Sequence, residues 1–535
     1  MPPLDDSKLQ DPQARARGRR RFAVGALAIA MLGLALQARL GFASFPYDLY
    51  HDEPVLVRGA LSVARSGDLH PPEPGWGTLP FYVLAASFRV AHSVADLPLD
   101  FDVDGHYAIA RCAALLMTAL AVCFTAHAGR LAFGEHNGLI AALALAIAPL
   151  TVEYAAQAVV DAWVLAPTAG ALLAAAAIAR GGARTRVYIL GGASAGIAAA
   201  CRITGGSAIV SVLFACSIAR PPRGWRGLTL AVAGAALAFA LANPYSLIDL
   251  PRFLGGLSSM SDRYSTAYID APTGTTRSWI PYGFVLGKNL GLAGTGALVF
   301  VIGLGFALHR NARMTLSLLA SSAALFGVVG SFLLCIPRQV LPILPVACIV
   351  SALPASLALD KMAGELRRAN VSGAIDLLRM PLAWIGLVAL LPTVVLLCRQ
   401  VAEVAATRLP DTRILLLDWL DHNVPDGSHV LREADTPRMD ALAQRCTVDW
   451  VSSAVFRDGR TRAASADFIV INDAMRLKVK SLGAHLPREQ TLYQELFERA
   501  QPLATFARAD GETRGPTFFV FGALTPDLRE HFSAP

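Results

Sequence analysis

Charge is what this chain has least of: only 16% of its 535 residues are Asp, Glu, Lys or Arg, against 54% hydrophobic. A soluble chain of this length carries more, so the shortage excludes a wholly water-exposed protein and puts most of the chain in a bilayer. Cysteine is sparse too. Seven of the eight fall in or beside apolar runs, and Cys446 alone lies in the polar C-terminal part, which excludes a disulfide within that part. No CxxC pair or His/Cys cluster points to structural zinc. The polar tail from about 400 onward has no nucleophile elbow, P-loop or metal motif. The Gly-rich stretch GGASAGIAAA at 191–200 is no nucleotide fingerprint, because no strand precedes it and no acidic residue follows at the right distance. Its Gly192/Gly196 spacing suits close packing of membrane helices instead. The net charge of +7 does not signal nucleic acid, since the arginines sit in short clusters between apolar runs.

Apolar runs are abundant, and mean hydropathy is +0.47. By the rule of roughly 20 apolar residues per crossing, spans are expected near 22–40, 106–128, 137–151, 162–179, 187–201, 204–219, 227–242, 290–308, 314–335, 339–358 and 379–398, about eleven in all. Basic residues occupy every second loop (Arg180, Arg184, Arg186; Arg220, Arg223, Arg226; Arg310, Arg313; Lys361, Arg367, Arg368, Arg379), a parity that also puts the Arg-rich segment 1–21 inside. The first run is long and ends without a convincing cleavage site, so it reads as a retained anchor. The loops 41–105, 152–161, 202–204 and 243–289 and the tail then face outward. A membrane domain at 22–398 is therefore followed by an exterior domain at 399–535. In that tail DTRILLLDWLDHNVP and LYQELFERA read as helices, and SHVLRE, DFIVIND and TFFVFGAL as strands, a small α/β domain without a catalytic motif.

Candidate chemistry begins with Asp52 and Glu53, adjacent carboxylates just beyond the first span. Leu56, Ala60 and Val63 follow at helical spacing with Arg58, Ser62 and Arg65 opposite, the pattern of a surface helix. The acidic pair suits either the cap of that helix or a catalytic base. Asp161, before another span, presents the same choice. Arg202 in CRITGG and Arg338 in IPRQVLPILP stand between spans on the outer side, against the positive-inside bias; each either snorkels to the headgroups or meets an anion. The exterior loop NPYSLIDLPRFLGGLSSMSDRYSTAYIDAPTGTTRSW is long enough to be functional.

Together these stretches resemble a known family. DE followed by a surface helix, GDLHP, VVD before a span, the CRITGG turn, NPYSLIDLPRF and RQVLPILP occur in the order found in polyprenyl-phosphate-dependent glycosyltransferases of the GT-C fold, the group of the protein O-mannosyltransferases and lipid A aminoarabinose transferases. Gln339 departs from the pattern, since an aromatic usually follows that arginine. The resemblance covers roughly residues 20–350 and implies a sugar moved from a lipid-linked donor to an acceptor hydroxyl at the outer face of a bacterial inner membrane. It implies Asp52 as base, Glu53 and Asp161 as its catalytic companions, Arg202, Arg338, Lys288 and Arg263 on the donor phosphate, and His70, Tyr82 and Tyr245 on substrate. Membrane lipids and a protein, lipid or glycan acceptor are the implied partners. Asp52 and Asp161 are the carboxylates a divalent metal would use, and the sequence leaves metal dependence open. A transporter or flippase, or a non-catalytic envelope-assembly protein, are the rival classes. An odd number of spans is needed to carry the tail outward, so a periplasm-active reporter fused after residue 420 should be active and a cytoplasm-active one silent.

Overall fold

The computed structural model describes residues 12–43, 45, 52–70, 75–100, 103–181, 183–218, 224–265, 277–291, 295–369, 381–481, 486–509 and 513–533. Helix α1 spans Pro12–Gly41, and two short helices, α2 (Glu53–Ser66) and α3 (Leu79–Ala95), follow before the bundle resumes. Leu56, Val57, Ala60, Leu61 and Ala64 of α2 are buried with Phe81, Leu84, Ala85 and Phe88 of α3 in one core, while Arg58, Ser62 and Arg65 are exposed. Burial of each large apolar side chain contributes about 1.5–3 kcal/mol, enough to fix these helices against the bundle. Gly67 ends α2 at φ +73°, a left-handed conformation open to glycine, and its amide bonds Val63 O.

The bundle continues with α4 (Asp104–Phe133), α5 (Glu135–Ile147), α6 (Pro149–Ala155), α7 (Val160–Ala179), α8 (Thr185–Cys201), α9 (Ala208–Ile218) and α10 (Gly224–Ala242). After α11 (Tyr245–Ile248), α12 (Leu250–Ser265) and α13 (Trp279–Leu290) come α14 (Thr295–Gly330), α15 (Leu344–Ser351), α16 (Leu353–Ala369) and α17 (Pro381–Ala406). Each expected apolar run contains a helix. Helix α14 is broken at non-helical Asn311, where two runs were separated by Arg310 and Arg313.

Among the described residues six helices are long and apolar enough to cross a membrane, or seven if α5 and α6, bent by 58°, form one span. The expected eleven is not reached on that measure, because runs such as those holding α8 and α9 are too short as continuous helices. Helix α17 also runs on to Ala406, past the expected domain boundary at 398. In the interval 243–289, read from sequence as a long exterior loop, most of the described residues are helical: Leu250, Phe253, Leu254 and Leu257 recur at helical spacing along α12. Close helix packing falls where the glycine spacing indicated. A Cβ on Gly192 or Gly196 of α8 would overlap the carbonyl oxygens of Ala231 and Ala235 on α10.

The tail folds as α18 (Thr412–Asn423), β1 (His429–Glu433), α19 (Asp440–Ala443), β2 (Thr447–Val451), α20 (Arg457–Ser465), β3 (Phe468–Asn472), α21 (Asp473–Ser481), α22 (Pro487–Arg499), β4 (Ala504–Phe506), β5 (Phe518–Gly522) and α23 (Pro526–Ser533). The sheet order is β2-β1-β3-β5-β4, parallel across β2-β1-β3 and antiparallel beyond. Strands β2 and β4 escape a sequence reading, since β2 exposes Trp450 and β4 has three residues. Glu433, fully buried at the end of β1, accepts from Ser453 Oγ at 3.0 Å, Ala454 N at 2.7 Å, Asn472 N at 3.3 Å and the Tyr493 hydroxyl.

Burial pushes the Glu433 carboxyl up to about 7, with those hydrogen bonds pulling the other way. A folded-state pKa above the unfolded value means that the folded domain holds the proton more tightly. Its stabilising share is therefore complete below the ordinary carboxylate range and lost as pH rises to about 7. Thermal unfolding between pH 5 and pH 8 should show this loss in the tail, and Glu433→Gln should flatten it.

Candidate active site

Four charged side chains from four distant segments meet at one end of the bundle. Asp52 precedes α2 but does not cap it, because its side chain makes no bond to the helix amides. Its Oδ2 instead accepts from Arg338 Nη2 at 2.7 Å. The same guanidinium places Nε 3.2 Å from Asp161 Oδ2, and Asp161 Oδ1 pairs with Arg202. Side-chain exposures are 16% for Asp52, 9% for Arg338, 4% for Asp161 and 15% for Arg202, too little for water to replace these partners. Charges this dry persist when paired. The chain Asp52–Arg338–Asp161–Arg202 is neutral as a set.

Local structure explains each placement. Arg202 is extended (φ −158°, ψ 130°) where α8 stops, and the turn Ile203–Ser207 is closed by Gly205 N on Arg202 O at 2.7 Å. That turn lies tight on its neighbours: a Cβ on Gly205 would collide with Ala198 O and with Val164 of α7. Asp161 lies in the first turn of α7, where the helix dipole favours an anion. Arg338 rides on the 3-10 turn Pro337–Ile343, which Tyr282 of α13 fastens by donating to Gln339 Oε1 at 2.6 Å and accepting from Ile336 N at 3.1 Å. Gln339, the departure from the family pattern, is thus buried and tied to an aromatic ring from another helix. The amides of Leu333 and Leu334 add bonds of 3.0 and 3.2 Å to Tyr264 O at the end of α12.

Glu53 faces elsewhere. Both its oxygens meet Arg111 of α4 (Nε 3.0 Å, Nη2 2.8 Å), Oε1 also accepts from Ala158 N at 2.7 Å, and Glu53 and Arg111 are both fully buried. Arg111 further donates to Gly41 O at 3.1 Å. Glu53 therefore holds the segment that carries Asp52, rather than lying open to a substrate. Sequence reasoning passed over Arg111 by treating the spans as nearly free of charge. A lone arginine just inside an apolar run was the available signal, because its cost demands a partner.

The remaining candidates divide. His70 Nδ1 lies 2.7 Å from Asp68 Oδ1, and its ring centroid is 4.1 Å from that of Tyr245. The two line a small open depression with Asn243, Ser246 and Arg252. Hydrogen bonds from His70 hold the exposed Asp68 carboxyl below its ordinary range. Tyr82 donates to Leu69 O at 2.7 Å and so supports this loop. Gly77 packs on the Ala200–Cys201 backbone, and Thr78 donates to Asn243 Oδ1 at 2.8 Å, which sets the depression beside the Arg202 turn. Lys288 is exposed on α13 and, among the described residues, joins none of the cluster's ion pairs. Arg263 belongs to α12, but its side chain lies outside the described residues.

Among the described residues no three His, Cys, Asp or Glu side chains gather as metal ligands. Asp52 and Asp161 each face the guanidinium between them, so as arranged they do not fit a divalent cation.

The family model described as dolichyl-phosphate-mannose-protein mannosyltransferase matches residues 103–248, the stretch holding Arg111, Asp161 and Arg202. No curated protein matches the chain. Among solved structures, ArnT from Cupriavidus metallidurans bound to undecaprenyl phosphate superposes with a TM-score of 0.55 at 14% identity, covering 96% of this chain and 99% of that one. The Archaeoglobus fulgidus oligosaccharyltransferase tethered with an acceptor peptide gives 0.54 at 14% identity over 94% of this chain and 74% of that one. The archaeal oligosaccharyltransferase AglB, from the same organism, in complex with an inhibitory peptide and a dolichol-phosphate gives 0.53 at 13% identity, over 87% and 72%. The chain thus has the fold of the GT-C glycosyltransferases, as its motifs implied.

The Glu53–Arg111 pair yields a stability test. Arg111→Ala leaves a buried carboxylate uncompensated and should cost about 3–5 kcal/mol, whereas Arg111→Met combined with Glu53→Gln should recover most of it. Unfolding temperatures of the detergent-purified variants measure both.

Proposed function

We propose that this protein is a membrane glycosyltransferase that moves a sugar from a polyprenyl-phosphate carrier to an acceptor hydroxyl at the outer face of the membrane. The observation that carries this reading is the chain of ion pairs joining Asp52, Arg338, Asp161 and Arg202 beside an open depression. It combines what the reaction needs: a carboxylate to take a proton and guanidinium groups to receive a phosphate.

The acceptor oxygen attacks the anomeric carbon while its proton passes to the Asp52 carboxylate. The bond from that carbon to the phosphate oxygen breaks, and its electron pair stays on the phosphate. A single displacement of this kind inverts the sugar carbon. The donor is a phosphodiester of charge about −1 and the product a monoester approaching −2 at neutral pH. Arg202 and Arg338 supply charge-assisted donors to that growing charge, the kind of stabilisation that acts chiefly in the transition state. Asp161 aims both arginines. His70 and Tyr245 offer the sugar or acceptor an aromatic face with a polar edge, and Glu53 with Arg111 keeps Asp52 in place.

In the resting arrangement Asp52 is itself an arginine partner. Donor phosphate competes for Arg338, and as it takes the guanidinium it releases the Asp52 carboxylate to act as base. The base is thereby freed when a donor has arrived, which limits wasteful hydrolysis.

Asp52→Asn should reduce glycosyl transfer at least ~10²-fold, the usual worth of a positioned base, while the chain still expresses and folds, because the Asn carboxamide oxygen can accept from Arg338 and Asp161 still pairs with it. Transfer is read in proteoliposomes, with the sugar and acceptor first identified by mass spectrometry of envelope glycans with and without the gene. Undiminished transfer by Asp52→Asn would remove the base from this mechanism.

A further inference from the structure

The tail reaches back to the end of α1 and to α4. Arg514, between β4 and β5, donates from Nη2 to Ala43 O at 2.7 Å, two residues beyond Gly41, which Arg111 holds. Its own orientation is set by Asp411, 3.4 Å away and almost fully buried, and by Nε on Leu409 O at 3.2 Å. A second arginine docks on α4. Arg438, only 5% exposed, places its guanidinium 3.8 Å above the Tyr107 ring centroid, with Nη2 3.4 Å from Asp104 and Nη1 3.1 Å from Asp440. Tyr107 is fully buried and stands one helical turn before Arg111 on the same face of α4.

The loop bearing Arg438 is braced from within the tail. Thr436 Oγ1 donates to Glu433 O at 2.6 Å, Arg432 to Thr436 O at 3.1 Å, and Asn472 Nδ2 to Asp435 O at 2.9 Å. It leaves the sheet at the carboxyl ends of β1 and β3, the place where a parallel sheet with this strand order ordinarily takes a ligand. Here Glu433 fills the crevice, and the loop is spent on docking.

We propose that the C-terminal domain is a positioning module for the catalytic base: Arg514 at Ala43 and Arg438 at Tyr107 and Asp104 clamp the end of α1 and the start of α4, the two elements that Arg111 ties to Glu53, the neighbour of Asp52. This rests on the reading of Asp52 as base, but the docking has its own observable. Both arginines are positioning residues, acting through α4 and the end of α1 without touching the sugar-phosphate.

The test uses the full chain in detergent or nanodiscs. Arg438→Ala and Arg514→Ala should speed hydrogen exchange in α2 and the first turns of α4 about ten-fold and lower kcat about ten-fold, with KM for the lipid donor near that of the parent. Arg438→Lys and Arg514→Lys should restore part of both. Because Arg514→Ala also loosens the tail, Asp104→Ala, on the membrane-domain side of the contact, serves as the second variant and should speed exchange in the same peptides. Unchanged exchange in α2 and α4 in Arg438→Ala and Asp104→Ala overturns the proposal, whatever Asp52→Asn does. Altered exchange with an active Asp52→Asn keeps the docking and rejects the base.

Discussion

One guanidinium organises the site. Arg338 stands between Asp52 and Asp161, and none of the three can keep its charge in so dry a position without the others. Three segments widely separated in the chain must therefore arrive together, and Arg202 adds a fourth. The surrounding packing serves that arrival. Gly205 lets the Arg202 turn lie against α7 and α8, Gly77 lets the loop before α3 rest on the end of α8, and Gly192 and Gly196 bring α8 onto α10. In lipid, where apolar contact between helices gains little, such close backbone approaches are what hold helices in register.

The division of labour between the adjacent carboxylates follows from exposure. Glu53 is sealed with Arg111, and a fully buried bidentate pair cannot be exchanged for an incoming ligand at modest cost. Asp52 keeps 16% of its side chain exposed, so its contact with Arg338 is the one a phosphate can contest. Arg338 divides its donors between two carboxylates instead of committing them bidentately to one. In the proposed reaction a neutral cluster takes on one negative charge with the donor and keeps that sum as the sugar leaves, because the charge gained by the phosphate is matched by the proton passed to Asp52. Protonation of Asp52 would thus leave Arg338 free for the phosphate at the moment its charge grows.

Much of this was legible in the chain because membranes make charge expensive. Asp52, Asp161, Arg202 and Arg338 each stand beside an apolar run on the side where basic residues are rare, so each demanded an explanation. The surface pattern of α2 was readable for the same reason its helix is stable: Leu56, Ala60 and Val63 fall on one face. Arg111 was missed because a single charge in a long run is easily passed over, although its burial binds it to a specific partner. Lys288 looked equivalent to Arg338 in sequence, yet lies exposed on α13, since position along a helix does not reveal which face meets the site. Whether an apolar run is one helix or two short ones depends on breaks such as Ala148 and Asn311, which hydropathy averages away.

The tail shows how a familiar sheet is turned to another purpose. Its three parallel strands converge at Glu433 and Asn472, where a nucleotide-binding sheet would leave room for phosphate. The Glu433 side chain fills the space a phosphate would need, and its four donors come from three surrounding segments, so the crevice is closed by the domain's own side chain. The rigidity gained passes into the loop after β1, whose turn at Asp435 takes the left-handed conformation (φ 60°) and sends Arg438 outward. A guanidinium delivered on so stiff a loop finds Tyr107 and Asp104 with little entropy left to lose, which is the condition for a soluble domain to influence a membrane site through two contacts.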